Sequence, residues 1–220
     1  MLDFRECYPN NSRVQTRLSS FRGILLLACA LACAGPAQRL SGRFESGRYT
    51  SVRHWFSIAA PLADPDVSCS DESTQTQDQE WASDGLRYGI PSRYTHKVGV
   101  VALPEDAARA MDLDPMGQTV GALARREADY WKVPANADVI YDDWYESPVG
   151  SALARVYHAR ATSNTRETWL GVSIARISHG YYAYAVVRND ADPTQLQDEV
   201  RALFGKLEPG PEVGHPTAPR

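Results

Sequence analysis

The order of elements along the chain predicts an α+β fold, mainly an antiparallel sheet with helices packed on it, of which an α/β/α sandwich is one form. Three observations carry this. Four strand-like segments, 137–147, 151–162, 168–178 and 180–189, are separated only by "PVG", "SNTRE" and "HG". Connections so short force antiparallel neighbours, because a parallel crossover needs about a dozen residues. Within these segments apolar residues alternate: Leu170, Val172 and Ile174 share one face, and Tyr182, Tyr184 and Val186 share one face of the next. Finally, Leu196, Val200, Leu203 and Leu207 recur at i, i+4, i+7 and i+11, a helical stripe that has to lie on the sheet.

The first 48 residues read as an address rather than part of that fold. Arg13, Arg17 and Arg22 precede an apolar run, Ile24 to Ala32, of nine residues. A transmembrane helix needs roughly twenty, so the run is too short to span; a positive region, a short apolar core and small residues form a secretory signal instead. Residues 1–32 are read as the signal, with 1–13 as an upstream start. Ala30-Leu31-Ala32-Cys33 resembles a bacterial lipobox, in which the cysteine is acylated and becomes the first mature residue. Leu26-Leu27-Ala28-Cys29 matches the lipobox letters better but leaves only about five apolar residues ahead of it, below the seven expected. Ala32-Cys33-Ala34 is also an A-x-A site for plain cleavage before Gly35. Cys33 is therefore the favoured attachment point, with Cys29 and soluble secretion as alternatives. Cys7 and Cys29 would leave with the signal and Cys33 would carry lipid, so Cys69 stands alone and no internal disulfide is expected.

Residues 33–48 are small, polar and glycine-containing and read as a lipidated tether, with a single globular domain over 49–207. "WFSIAAP" (55–61) reads as a short buried strand. The polar stretch 63–77, which contains Cys69, reads as an exposed loop. "DQEWASD" and "LRYGIP" read as two short strands around Asp84-Gly85, a dipeptide suited to a tight hairpin turn. "THKVGVVALP" (95–104) is β-branched enough for a central strand. Pro104-Glu105-Asp106 opens a short helix, and a second helix over 115–131 spaces Val120, Leu123, Glu127 and Tyr130 along one face. The closing helix is marked by Asp192 as N-cap, Pro193 at the first position and Gln195 at the capping-box position. Residues 208–220 contain four prolines in thirteen and read as a disordered tail.

"WFSIAAP" after an N-terminal lipid site, the four-strand meander and the ending "YAYAVVRNDADPTQLQDEVRALFGKL" resemble the PsbP-like family, the extrinsic photosystem subunit P and its bacterial lipoprotein relatives. The resemblance covers roughly 49–207 in pattern and implies an α/β/α sandwich with a binding or assembly role rather than a reaction. The family's ligand residues are missing and the polar stretch 63–77 departs from its pattern, so no site residue is carried over.

Charge narrows the partners. Removal of residues 1–32 takes four of 23 basic and two of 27 acidic residues; the remaining 19 against 25 carry a formal charge of −6. No basic stripe exists for phosphate, so a nucleic-acid partner is not expected. The chain holds no GxSxG, HExxH, CxxC, P-loop or GxGxxG pattern, and neither an enzyme nor a cofactor is expected. His54, His96, His158 and His179 never pair at i, i+3 or i+4, so no metal site is expected. Cys69 lies in the polar stretch and is not expected to act as a nucleophile.

The candidate ligand site is Asp142, Trp144 and Glu146, within Asp142-Asp143-Trp144-Tyr145-Glu146. Carboxylates beside an aromatic face hold sugars, cationic groups or Ca²⁺. On a strand, however, Asp143 and Tyr145 face the opposite way, and the plainer reading is a solvated strand end. Tyr157, Trp169, Tyr181, Tyr182 and Tyr184 read as core, with an exposed aromatic patch for an envelope protein or glycan as the alternative. The function expected is a lipid-anchored protein of the bacterial envelope, facing the periplasm or exterior, that binds or scaffolds another component. The alternatives are a hydrolase using two of the acids at 142, 143 and 146, and a secreted protein without lipid.

Overall fold

The structure, a computed structural model, describes residues 40–72, 82–90, 93–112, 118–161, 166–189 and 194–214. Cys29, Cys33, Asp192 and Pro193 lie outside them. Regular structure begins with the hairpin β1 (Arg43–Glu45) and β2 (Arg48–Thr50), followed by β3 (Phe56–Ala59). Strands β4 (Ser68–Asp71), β5 (Ala82–Ile90) and β6 (Tyr94–Ala102) lead to helices α1 (Glu105–Asp112) and α2 (Gln118–Tyr130). The expected meander follows as β7 (Asp138–Ser147), β8 (Gly150–Ala159), β9 (Thr168–Ser178) and β10 (Tyr181–Asn189). Helix α3 (Leu196–Phe204), strand β11 (Leu207–Pro209) and the short α4 (Pro211–Gly214) close it.

All strand pairs are antiparallel. The main sheet has the order β4-β5-β6-β10-β9-β8-β7, and a smaller one the order β1-β2-β3-β11. Burial of opposite faces follows from the alternation. Val120, Leu123, Ala124 and Ala128 of α2 cover Leu170, Val172, Ile174, Tyr182, Tyr184 and Val186. The other face packs on Leu196, Val200, Leu203 and Phe204 of α3, together with Tyr49, Phe56, Ile58 and Leu207 of the small sheet. Each such side chain removed from water contributes about 1.5–3 kcal/mol before entropy is subtracted. Gly171 sets how close α3 can lie, since a Cβ there would stand 3.2 Å from both Leu196 Cγ and Val200 Cβ.

Several local expectations are overturned, most of them by contacts distant in sequence. Asp84-Gly85 is not a turn: both lie inside the continuous strand β5. Asp84 is fully buried, accepts the Arg53 backbone N–H at 2.8 Å and pairs with its guanidinium. Gly85, its partner Gly99 and Tyr184 form one row across β5, β6 and β10, and a Cβ at either glycine would meet the Tyr184 hydroxyl within 3.0 Å. Turn propensity yields here to a buried ion pair and a tyrosine needing a smooth floor.

Cys69 lies on β4 rather than in a loop, opposite Tyr88. The strand is pinned by Asp71, whose carboxylate accepts hydrogen bonds from the Ser41 and Gly42 backbone and from the Tyr49 hydroxyl. Chain order begins ahead of Tyr49, because the stretch read as tether supplies β1. Gln195 is itself the residue preceding α3 and makes no side-chain capping bond. The helix stops at Phe204, so Leu207 is buried from β11, paired with Ile58, instead of from the helix. The stretch read as a disordered tail continues through β11 into α4, where Val213 is buried.

Candidate functional site

Strand β7 carries the residues singled out in the sequence and forms one edge of the main sheet. Its side chains divide as the alternation requires. Asp142 and Trp144 stand opposite Arg155 and Leu153 on the α2 side. Asp142 takes a bidentate ion pair from Arg155, 3.1 Å to Nε and 2.8 Å to Nη2. Trp144 is 39% exposed. Glu146 is exposed and has no ion-pair partner among the described residues.

On the opposite side, Arg201 of α3 lies over the rings of Tyr141 and Tyr145, at 5.2 and 4.7 Å, and 3.7 Å from Asp143. The Tyr145 hydroxyl is 2.6 Å from Ser173 Oγ, and burial pushes its phenol up, keeping it neutral. Asp142 and Asp143 do not converge: they are held apart by separate arginines on opposite faces. Asp142 and Asp143 are therefore not placed to act as a pair on one substrate.

The backbone of β7 adds what side chains alone do not reveal. Ser147 and Gly150 close a two-residue connection as the last pair of the β7–β8 ladder, which makes them a hydrogen-bonded pair. Alternate residues therefore turn their N–H and C=O away from β8: Glu146, Trp144 and Asp142. The Trp144 N–H is taken by its neighbour's Asp143 Oδ1 at 2.9 Å. Among the described residues no strand pairs on this side. A bulge at Ile140 interrupts the register between Val139 and Tyr141, and Val139 and Ile140 are 49% and 51% exposed. Three of the five large apolar side chains exposed among the described residues are thus on β7.

Of the aromatics read as core, three are buried and two are partly buried and packed against the core, while Tyr130 of α2 is 45% exposed. Tyr157, Tyr182 and Tyr184 are buried, Tyr181 packs edge-on against Trp55 at 5.5 Å, and Trp169 stacks on His158 at 3.8 Å. Among the described residues neither broad face of the sheet presents a cluster of exposed aromatic side chains. Among the described residues no group of three or more His, Cys, Asp or Glu is placed to hold a metal.

No protein-family model matches the chain, and no curated protein matches it. A solved PsbP structure does. The solution structure of cyanobacterial PsbP (CyanoP) from Synechocystis is 14% identical, with a TM-score of 0.45 over 74% of this chain and 91% of that one. The likeness is the one expected from the strand pattern; it concerns the fold and reaches no site residue.

One feature escaped the sequence reading altogether. Lys97 of β6 and Glu127 of α2 form a buried ion pair at 2.7 Å, with the ammonium over the Tyr130 ring at 4.0 Å and the Tyr184 ring at 5.1 Å. The Tyr130 hydroxyl donates to Glu72 at 2.6 Å, and Glu72 pairs with Arg87 at 2.9 Å. The adjoining cavity, lined by Leu123, Arg126, Glu127, Tyr182 and Tyr184 among others, has about 10 Å³, room for one water and not for an organic ligand. A glutamate inside an otherwise apolar helical stripe was the available signal, since a buried carboxylate requires a buried partner.

Proposed function

We propose that this chain is a lipid-anchored protein of the bacterial envelope, facing the periplasm or exterior, whose domain binds or scaffolds another envelope protein through the outer edge of β7. The observation that carries the reading is where apolar surface is left uncovered. Both faces of the main sheet are packed, yet Val139, Ile140 and Trp144 remain exposed beside backbone groups that β8 does not use. Exposed apolar side chains along a sheet edge whose outward backbone groups have no strand partner suit an interaction surface. The divergence of Asp142 and Asp143 favours binding over hydrolysis. The anchor rests on the Ala30-Leu31-Ala32-Cys33 motif and the length of the apolar run ahead of it.

The anchor is tested by labelling with a fatty-acid analogue in the wild type and in Cys33→Ala. Label present only in the wild type is the expected result, and an unmodified mature chain starting at Gly35 overturns it. Docking is tested by a photo-crosslinking residue at position 144, compared with one at the exposed Val52 of the small-sheet region. A single identified protein captured at 144 alone, whose purified form also binds the chain, supports the reading. Equal capture at both positions, or none at 144, refutes it.

A further inference from the structure

We propose that the β7 edge binds by strand addition, accepting an extended segment of the partner with a basic–apolar–basic alternation. This rests on the docking reading above and adds the geometry and chemistry of the occupant. Residues Asp142, Trp144 and Glu146 direct their backbone groups outward and their side chains to the α2 face, giving the edge a repeat of acid, aromatic, acid; the Trp144 N–H, held by Asp143 Oδ1, is released when a strand pairs there. A strand laid against it sets its own alternate residues opposite these three, roughly 5 Å away. Lysine or arginine opposite Glu146 meets a carboxylate with no ion-pair partner among the described residues, one opposite Asp142 shares a carboxylate that Arg155 already holds, and an aliphatic residue opposite Trp144 supplies the apolar contact.

The same repeat disfavours a second copy of this chain in the registers centred on Asp142, Trp144 or Glu146. A twofold axis at Trp144 sets Asp142 against Glu146 of the other molecule, and an axis at Asp142 or Glu146 sets that acid against itself. Like charges directly opposite each other are destabilising. The site is also bounded: the Ile140 bulge ends the regular edge on one side and the Pro148-Val149 connection on the other, leaving 141–147, about seven residues, for pairing. At the far edge of the sheet, β4 has only four residues.

The test uses the full chain and a labelled heptapeptide, Thr-Lys-Thr-Val-Thr-Lys-Thr, with Thr-Glu-Thr-Val-Thr-Glu-Thr as control and an N-methylated form of the first. The basic peptide is expected to bind at least ten-fold more tightly than the acidic one, and N-methylation to abolish binding. Glu146→Lys, an exposed change that leaves Asp142 in place, is expected to remove the preference for the basic peptide. Glu146→Pro is expected to remove binding while leaving the β8 ladder intact, because the lost N–H points outward; unchanged circular dichroism checks the fold. No binding, equal affinity for the two charged peptides, binding of the methylated form, or an unchanged preference in Glu146→Lys overturns strand addition. If the position-144 crosslink identifies a partner and the peptides fail, docking stands and strand addition falls. The reverse result leaves the edge chemistry standing and removes its role in partner docking.

Discussion

Lys97 Nζ lies 2.7 Å from the Glu127 carboxylate, and the two side chains are 7% and 8% exposed. The pair joins β6 to α2 beneath the helix, with Tyr130 and Tyr184 shielding the ammonium from water. Removing one partner leaves the other charged and desolvated, so Lys97→Met is expected to lower stability by about 3–5 kcal/mol. The double variant Lys97→Met, Glu127→Leu should recover most of that loss, because an apolar pair of similar volume needs no solvation. Urea midpoints of the three proteins check this; single losses under about 1 kcal/mol would contradict burial of the pair.

Gly99 forms the floor for Tyr184. A Cβ at that position would stand 2.3 Å from the Asp84 carbonyl and 2.6 Å from the Tyr184 hydroxyl. Since one of these is backbone, a rotamer change cannot relieve the clash. Gly99→Ala should cost roughly 1–3 kcal/mol by overpacking, read as a drop in Tm. A neutral result would mean that β5 and β6 separate more easily than the continuous ladder implies.

His96 supplies a pH dependence. Burial, aided by the positive charge of Lys206, lowers its pKa to about 4 from the ordinary 6.5, and its Nδ1 has no hydrogen-bond partner among the described residues. Tyr88 and Tyr94 flank the ring at 5.2 and 4.8 Å. The unfolded chain therefore binds a proton between pH 6.5 and 4 that the folded chain refuses. Stability should fall as pH drops through that window and be insensitive to this group above it. Because the ring is only partly buried, a contribution of about 2 kcal/mol is expected, below the full linkage value. Comparing the wild type with His96→Leu at pH 7 and pH 4.5 isolates the effect; an identical pH slope in both proteins would rule it out.

Trp144 should matter little to the fold. It is 39% exposed on an edge strand, in register with Leu153. Trp144→Ser should change unfolding free energy by less than about 1 kcal/mol, as surface substitutions do. A loss of 3 kcal/mol would make the side chain structural and remove the main reason for treating the edge as a docking surface.

Legibility in the sequence followed the range of each interaction. The meander was readable because three short connections and a period of two are local quantities, and they recur in β7 to β10 with bounds close to those expected. The apolar stripe of α3 was readable for the same reason through Phe204; its continuation to Leu207 was not, because the pairing of Leu207 with Ile58 joins residues far apart in the chain. Of the candidate site, the sequence placed Asp142, Trp144 and Glu146 on one face of a strand. It could not tell whether a further strand lay alongside them.

By itself, then, the sequence determined the antiparallel order of the meander, the alternation of apolar faces along β9 and β10 and the divergence of the acids at 142 and 143, since all three follow from backbone geometry and short connections. Tertiary structure alone decided that Asp84-Gly85 runs through a strand, that Lys97 meets Glu127, and that β7 is an edge with outward backbone groups. These depend on which segments become neighbours, and that choice is made by burying two faces of one sheet at once.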